Sequence, residues 1–349
     1  MPSMAMGEED WMRELSWTDA SRLNIGGLGW VGEERLQRYD RLPAALREAI
    51  PEPTWWLSQQ SAGVFVEFRS AARTLAARWE MAPADDLPQD PYMALSGRSG
   101  VDLYGRDGHG KWQWVGAREA SGDPLASGQL NQGPLDGVER EYRLYLPLLR
   151  QTLRVEIGAD APVVPGEADP RPPIIYYGTS IVHGAGVSRP GCGHAQRLEM
   201  ALDVEILNLG LCGRAHCEAS LAEAIARARA RMVILDPLPN NSPENLAERL
   251  LPFLEIIGKG HPEIPVVLVE ERLFGDAAFL PERGAYCNAK NRALHEGMRQ
   301  RRAVGQDNLH LVTMPDYYGP DGSTDANHPN DLGADRLFRR LLPEIRARL

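Results

Sequence analysis

The sequence predicts two domains, an antiparallel β-sandwich of jelly-roll-like type followed by an α/β domain built on a parallel five-stranded sheet. Three observations lead there. Apolar and polar residues alternate at period two in the first half, short apolar runs alternate with helical patterns in the second, and a Pro-rich stretch separates the halves. A chain of 349 residues also exceeds what one hydrophobic core usually serves.

Residues 1–17 read as a lead segment and 18–162 as the sandwich. Val64, Val66 and Phe68 alternate with Glu67 and Arg69, and Leu75, Ala77, Trp79 and Met81 alternate with Arg78 and Glu80. Side chains point to opposite faces of a strand in turn, so each run reads as a half-buried strand. The pattern returns in Tyr142, Leu144 and Leu146, and in Leu153, Val155 and Ile157 against Arg154 and Glu156. All eight Trp precede residue 115. Most of them are expected to fill the sandwich core, with Trp55-Trp56 as the pair placed to stack on a sugar ring.

Residues 163–173 read as a linker, because Asp160-Ala-Pro-Val-Val-Pro-Gly-Glu-Ala-Asp-Pro-Arg-Pro-Pro173 can hold neither a helix nor a central strand. Residues 174–349 form the second domain. Its expected strands are Ile174 to Tyr177, Val204 to Leu209, Met232 to Asp236, Ile264 to Glu270 and Leu309 to Val312. Amphipathic stretches lie between them, one opened by the N-cap Ser242 and the N1 Pro243. Strict strand–helix alternation gives a parallel sheet covered on both faces, with chemistry beyond the C-terminal strand ends.

Composition narrows the function classes. The net charge of -10 disfavours a nucleic-acid partner, since phosphates would be repelled. No apolar run is long enough to span a bilayer, so no membrane partner is expected. The acidic first residues lack the pattern of a secretory signal, and four Cys make no disulfide framework; both lead to the expectation of a cytoplasmic protein.

Four segments carry chemistry. In Tyr177-Gly178-Thr179-Ser180-Ile181, the Gly allows a sharp turn off a strand that exposes Ser180, a candidate nucleophile. In Asn208-Leu209-Gly210-Leu211-Cys212-Gly213-Arg214, glycines let a backbone N–H approach a bound oxygen. In Asp236-Pro237-Leu238-Pro239-Asn240-Asn241, rigid prolines hold an Asn amide toward the same crevice. In Asp325-Ala326-Asn327-His328, an Asp three residues before a His on one turn fixes the imidazole tautomer while the other ring nitrogen faces a serine. Together these segments nominate Ser180, His328 and Asp325 as a triad, with the N–H groups of Ser180 and Gly213 and the Asn240 amide as oxyanion donors.

At these residues the chain resembles the SGNH (GDSL-like) hydrolases, serine esterases whose four sequence blocks supply Ser, Gly, Asn and His in this order. The run Gly178-Thr-Ser-Ile-Val-His-Gly-Ala-Gly-Val-Ser-Arg-Pro-Gly191 and the element Gly100-Val101-Asp102-Leu103-Tyr104 resemble the branch with an N-terminal β-domain. The resemblance implies a flavodoxin-like three-layer α/β/α catalytic domain and ester hydrolysis with no cofactor or metal. It gives Ser180 as nucleophile, His328 as base, Asp325 as its orienter, and Gly213 and Asn240 as oxyanion positions. Two departures stand out. Thr179 replaces the Asp of many relatives, and Leu238-Pro239-Asn240-Asn241 replaces the usual G-x-N-D. No G-x-S-x-G surrounds any Ser, which argues against an α/β-hydrolase elbow.

The expected substrate is a small-molecule or glycan ester with a short, acetyl-like acyl group. The alternatives are an acyltransferase using the same triad, and a carbohydrate-binding protein with an inactive catalytic domain. His183 and Asn241 are further pocket candidates, although a structural hydrogen bond for His183 and a capping role for the Asn240–Ser242 stretch remain open. Cys192, His194, Cys212, His216 and Cys217 match no usual zinc spacing and read as core thiols and imidazoles. Asp102 and Tyr104 are expected to brace the sandwich or its contact with the second domain.

Overall fold

The computed structural model describes residues 12–83, 93–120, 124–316 and 318–349. Trp11 and most of the lead segment lie outside the described residues. In the first half the strands are β1 (Ser16–Asp19), β2 (Asn24–Gly26), β3 (Phe65–Ser70), β4 (Leu75–Met81), β5 (Val101–Arg106), β6 (Trp112–Arg118), β7 (Leu125–Gln129), β8 (Arg140–Tyr145), β9 (Thr152–Ala159) and β10 (Val163–Pro165). They form two antiparallel sheets, β1-β9-β4-β7 and β10-β3-β8-β5-β6, with β2 also on β3. Val66, Phe68, Leu75, Ala77, Trp79, Leu144, Val155 and Ile157 meet in the core between them, as the period-two pattern requires.

Three details depart from the sequence reading. The linker stretch begins as edge strand β10 on β3, a place where proline is tolerated because no central ladder bond is lost. The polar face of β3 and β8 is buried against the second domain. There Glu67 pairs with Arg143 at 2.5 Å, and Arg143 and Tyr145 both reach Glu199, at 3.2 and 2.5 Å. Finally, much of the stretch between β2 and β3, including the helix Glu52–Ser58, packs on the second domain. Trp30, Leu42, Leu46, Ile50, Trp55 and Leu57 join Ile175, Tyr177, Leu207 and Leu209 in one core. Among the described residues Trp79 is the Trp found in the sandwich core, Trp55 is enclosed, and Trp56 and Trp114 are exposed. Full enclosure removes Trp55 as a sugar-stacking surface.

The second half adds β11 (Ile174–Gly178), β12 (Ile206–Gly210), β13 (Met232–Asp236), β14 (Val266–Val269) and β15 (Leu309–Val312), all parallel, in the order β12-β11-β13-β14-β15. This is the flavodoxin-like order. Helices Ala219–Arg227, Pro243–Gly260 and Pro281–Ala303 cover one face, with Ile175, Tyr177, Val233 and Leu235 beneath them. Helices His194–Leu202 and Asp331–Arg346 cover the other, over Ile174, Tyr176, Met232 and Ile234. Burial on both faces explains why these strands read as unbroken apolar runs.

The two halves are also joined at the G-x-D-L-Y element. Asp102, fully enclosed, accepts from Arg189 Nη1 at 2.7 Å, the Gly191 N–H at 2.9 Å and Trp114 Nε1 at 2.9 Å. Tyr104 Oη accepts from the same Arg189 nitrogen at 2.6 Å. The contact between domains is therefore what this motif braces. Among the described residues no helix is long and apolar enough to cross a membrane.

Candidate active site

The register of the parallel sheet sets Gly178, Gly210 and Asp236 side by side at the ends of β11, β12 and β13. Three loops leave the sheet there, and they carry Ser180, Gly213 and Asn240. This is the crevice where strand order reverses, the usual ligand position in open α/β sheets. The bond from the Leu211 N–H to the Gly178 carbonyl, 2.9 Å, ties two of the loops together.

Ser180 opens the short helix Ser180–His183. Its N-cap Thr179 is buried, and the Thr179 hydroxyl oxygen accepts the Ile181 N–H at 3.3 Å. Thr179 thus performs in this chain the capping expected of a short polar side chain. Ser180 itself is 8% exposed.

His328 arrives on a turn before the helix Asp331–Arg346. Its carbonyl accepts from the Thr324 N–H at 3.0 Å and the Ser323 hydroxyl at 2.8 Å. The Asp331 carboxylate accepts from the Ser188 N–H at 2.8 Å and hydroxyl at 2.5 Å, holding the segment after Ser180 against the segment after His328. The outcome is a continuous contact. Ser180 Oγ lies 2.7 Å from His328 Nε2, and His328 Nδ1 lies 2.7 Å from Asp325 Oδ2.

Burial alone would raise the Asp325 carboxyl. The N–H of His328, its ring and the N–H of Asn327 together outweigh that and hold the group below the ordinary carboxylate range. An ionised Asp325 accepting from Nδ1–H leaves the Nε2 lone pair facing Ser180, the arrangement that removes a hydroxyl proton.

Gly213 has a φ of +67°, with open space where a side chain would stand. A left-handed turn of this kind is what glycine permits cheaply. Asn240 closes the 3-10 turn Leu238–Asn240, and its Oδ1 accepts the Ala215 N–H at 3.3 Å, so the carbonyl end of the amide is used internally. Its neighbour differs. Asn241 is buried, and its Nδ2 donates to the Ala215 and Pro237 carbonyls, each at 2.8 Å. Asn241 braces the loop from an enclosed position.

His183 makes the structural hydrogen bond that the sequence left open. It is fully enclosed, Nε2–H donates to the Leu148 carbonyl at 2.9 Å, and Nδ1 faces Cys212 Sγ at 3.3 Å. Burial, with the charge of Arg41 added, pushes its pKa well below that of an ordinary imidazole. A neutral His183 thus sits beneath the site as a structural element. Among the described residues no group of three or more His, Cys, Asp or Glu is arranged to hold a metal ion.

Two supporting residues escape sequence reading. Lys290, enclosed on the helix Pro281–Ala303, pairs with Glu271 at 3.0 Å and reaches the Pro239 carbonyl at 3.5 Å, beside Asn240. Arg41, from the first half, bonds the Asn208 and Gly210 carbonyls at the end of β12. Backbone carbonyl partners have no side-chain signature, so nothing in either sequence neighbourhood marks these roles.

Comparisons with known proteins agree with this architecture. Residues 171–346 match the model of the GDSL-like Lipase/Acylhydrolase family, and residues 15–163 match the model of the N-terminus of SGNH-hydrolase-type esterases that is named for its G-x-D-L-Y element. A GDSL-like lipase from Bacteroides ovatus is similar, with TM-score 0.87 and 29% identity over 95% of this chain and 97% of that one. A salicylyl-acyltransferase from a tetracycline biosynthetic pathway shares the fold with TM-score 0.76 and 20% identity over 96% and 98% of the two chains. An acetyl xylan esterase from Butyrivibrio proteoclasticus does so with TM-score 0.62 and 12% identity over 95% and 98%. No curated protein matches the sequence. The chain belongs to the GDSL-like lipase/acylhydrolase family, with an N-terminal domain of the SGNH-esterase type.

Proposed function

We propose that this protein is a serine ester hydrolase that releases short, acetyl-like acyl groups from carbohydrates or other small O-acyl substrates. The observation that carries the reading is the unbroken contact from Ser180 Oγ through His328 to Asp325, with 2.7 Å at each step. In this mechanism Ser180 Oγ attacks the acyl carbon while His328 Nε2 takes its proton. The N–H groups of Ser180 and Gly213 and the Asn240 amide hold the oxyanion, and His328 returns the proton to the leaving alcohol. Water, activated by the same imidazole, then releases the acyl group from Ser180. No step calls on a cofactor.

The substrate class is supported by the fold shared with an acetyl xylan esterase. The fold shared with an acyltransferase keeps a second reading, in which an alcohol replaces water in the second step. A panel of acetylated sugars, assayed for free acetate with and without an added acceptor alcohol, tests both. Acetate release unaffected by the acceptor supports hydrolysis, whereas a new ester at the expense of acetate supports transfer. A wild-type protein that binds glycans but turns over no ester would leave the inactive carbohydrate-binding reading instead.

A further inference from the structure

Arg41 is fully buried, and all four acceptors of its guanidinium are main-chain carbonyls. Nε donates to Gln60 at 2.7 Å and Nη2 to Leu57 at 2.6 Å, both in its own part of the chain. Nη1 donates to Asn208 at 2.8 Å and Gly210 at 2.9 Å, at the C-terminal end of β12. Burial pushes its pKa down to about 10, so the group is still a cation at neutral pH. Burying a cation is costly, and a planar fork that satisfies carbonyls on two segments at once is the arrangement that offsets the cost.

The two carbonyls on β12 belong to the site's frame. Gly210 is three residues before Gly213. Asn208 donates from Nδ2 to the Val182 carbonyl at 2.8 Å, in the turn that begins with Ser180, and accepts the Gly210 N–H on Oδ1 at 2.8 Å. Gly63 presses on the same residue. A Cβ there would lie 2.6 Å from Asn208 Cβ, and its φ of +78° already favours glycine. Leu148, also from the first half, holds His183 from the other side.

We infer that Arg41 is a positioning residue for the ester hydrolysis, fixing the end of β12 so that the Gly213 N–H and Ser180 keep their mutual placement. The first domain is then part of the catalytic apparatus rather than an appended module. This inference rests on the reading of Ser180 as nucleophile and Gly213 as oxyanion donor. Displacements of about 1 Å at a site can cost on the order of 100-fold in rate.

The test compares wild type, Arg41→Met, Arg41→Lys, Gly63→Ala and Ser180→Ala. Reactive sites are first counted at end point with a 4-nitrophenyl dialkyl phosphate. The bond Ser180 Oγ–P forms, the aryl ester bond breaks, and one 4-nitrophenolate leaves per site while the serine proton passes to His328. Turnover of 4-nitrophenyl acetate is then expressed per counted site, which removes any loss caused by unfolded protein. The inference predicts that kcat per site falls roughly 30- to 100-fold in Arg41→Met, with KM within about twofold. Arg41→Lys, which keeps the charge but not the fork, falls between that variant and wild type, and Gly63→Ala shows the same kcat-weighted loss at smaller amplitude. Should Arg41→Met fold poorly, the other two variants carry the comparison. Unchanged kcat per counted site in Arg41→Lys and Gly63→Ala would overturn the inference. Phosphate labelling that persists in Ser180→Ala would instead overturn the nucleophile assignment on which it rests.

Discussion

Asp325 holds His328 twice, through the ring and through the chain. Its Oδ2 lies 2.7 Å from Nδ1, and its Oδ1 accepts the backbone N–H of the same residue at 2.7 Å. One carboxylate therefore sets the rotation of the imidazole and the position of the backbone that carries it. Asp325→Asn keeps the shape but presents an NH2 group to one of these donors, so the ring loses its tautomer or the turn loses its anchor. We predict a fall in kcat on the order of 1000-fold or more with a modest change in KM, measured by steady-state hydrolysis of 4-nitrophenyl acetate.

The pH profile follows from the same pair. Asp325 is held below its ordinary carboxylate value, so its contribution is present above about pH 4 and is lost only as pH falls through its lowered folded value. At pH 5 and above, Asp325 stays ionised, so its own protonation adds no second ionisation to the acid limb. The acid limb of log kcat/KM should have a slope of one down to pH 5. A slope of two there would contradict this assignment.

Adjacent asparagines should separate cleanly. Asn240→Ala removes a candidate oxyanion donor and the acceptor of the Ala215 N–H, and is predicted to lower kcat on the order of 100-fold in protein that is still fully folded at the assay temperature. Asn241→Ala leaves the buried Ala215 carbonyl without its side-chain donor, while the Pro237 carbonyl keeps the Asn240 N–H. Its predicted cost is about 1–3 kcal/mol of stability, read by chemical denaturation.

Beneath the crevice, Arg272 donates to both oxygens of Asp236, at 2.9 and 2.5 Å, and to Tyr318 Oη at 3.1 Å, with both members of the ion pair enclosed. Arg272→Met strands a buried carboxylate at the end of β13. We predict a loss of about 3–5 kcal/mol in unfolding free energy, checked by urea denaturation.

Much of the site was legible because its chemistry is local in sequence. The Asp325-x-x-His328 turn and the glycines after β11 and β12 each report their geometry within a few residues. Strand–helix alternation then implied that these loops share one end of the sheet. What stayed hidden depends on partners distant in the chain. Leu42, Ile50 and Trp55 are apolar residues that either core would accept, so their packing against Tyr177 and Leu207 had no signature. Glu67 looked solvent-facing by alternation and is instead neutralised by Arg143 at the domain contact. His183 looked like a pocket residue because it follows Ser180 so closely, yet one helical turn carries it under the site, where Leu148 and Cys212 take both ring nitrogens.

The most direct measurement is hydrolysis of 4-nitrophenyl acetate, butyrate and octanoate by wild type and Ser180→Ala at matched purity and fold. The account predicts turnover strongest on acetate and reduced at least about 1000-fold in the variant. Wild-type rates surviving in Ser180→Ala would contradict it, because no other hydroxyl stands in the contact that runs through His328 to Asp325 among the described residues.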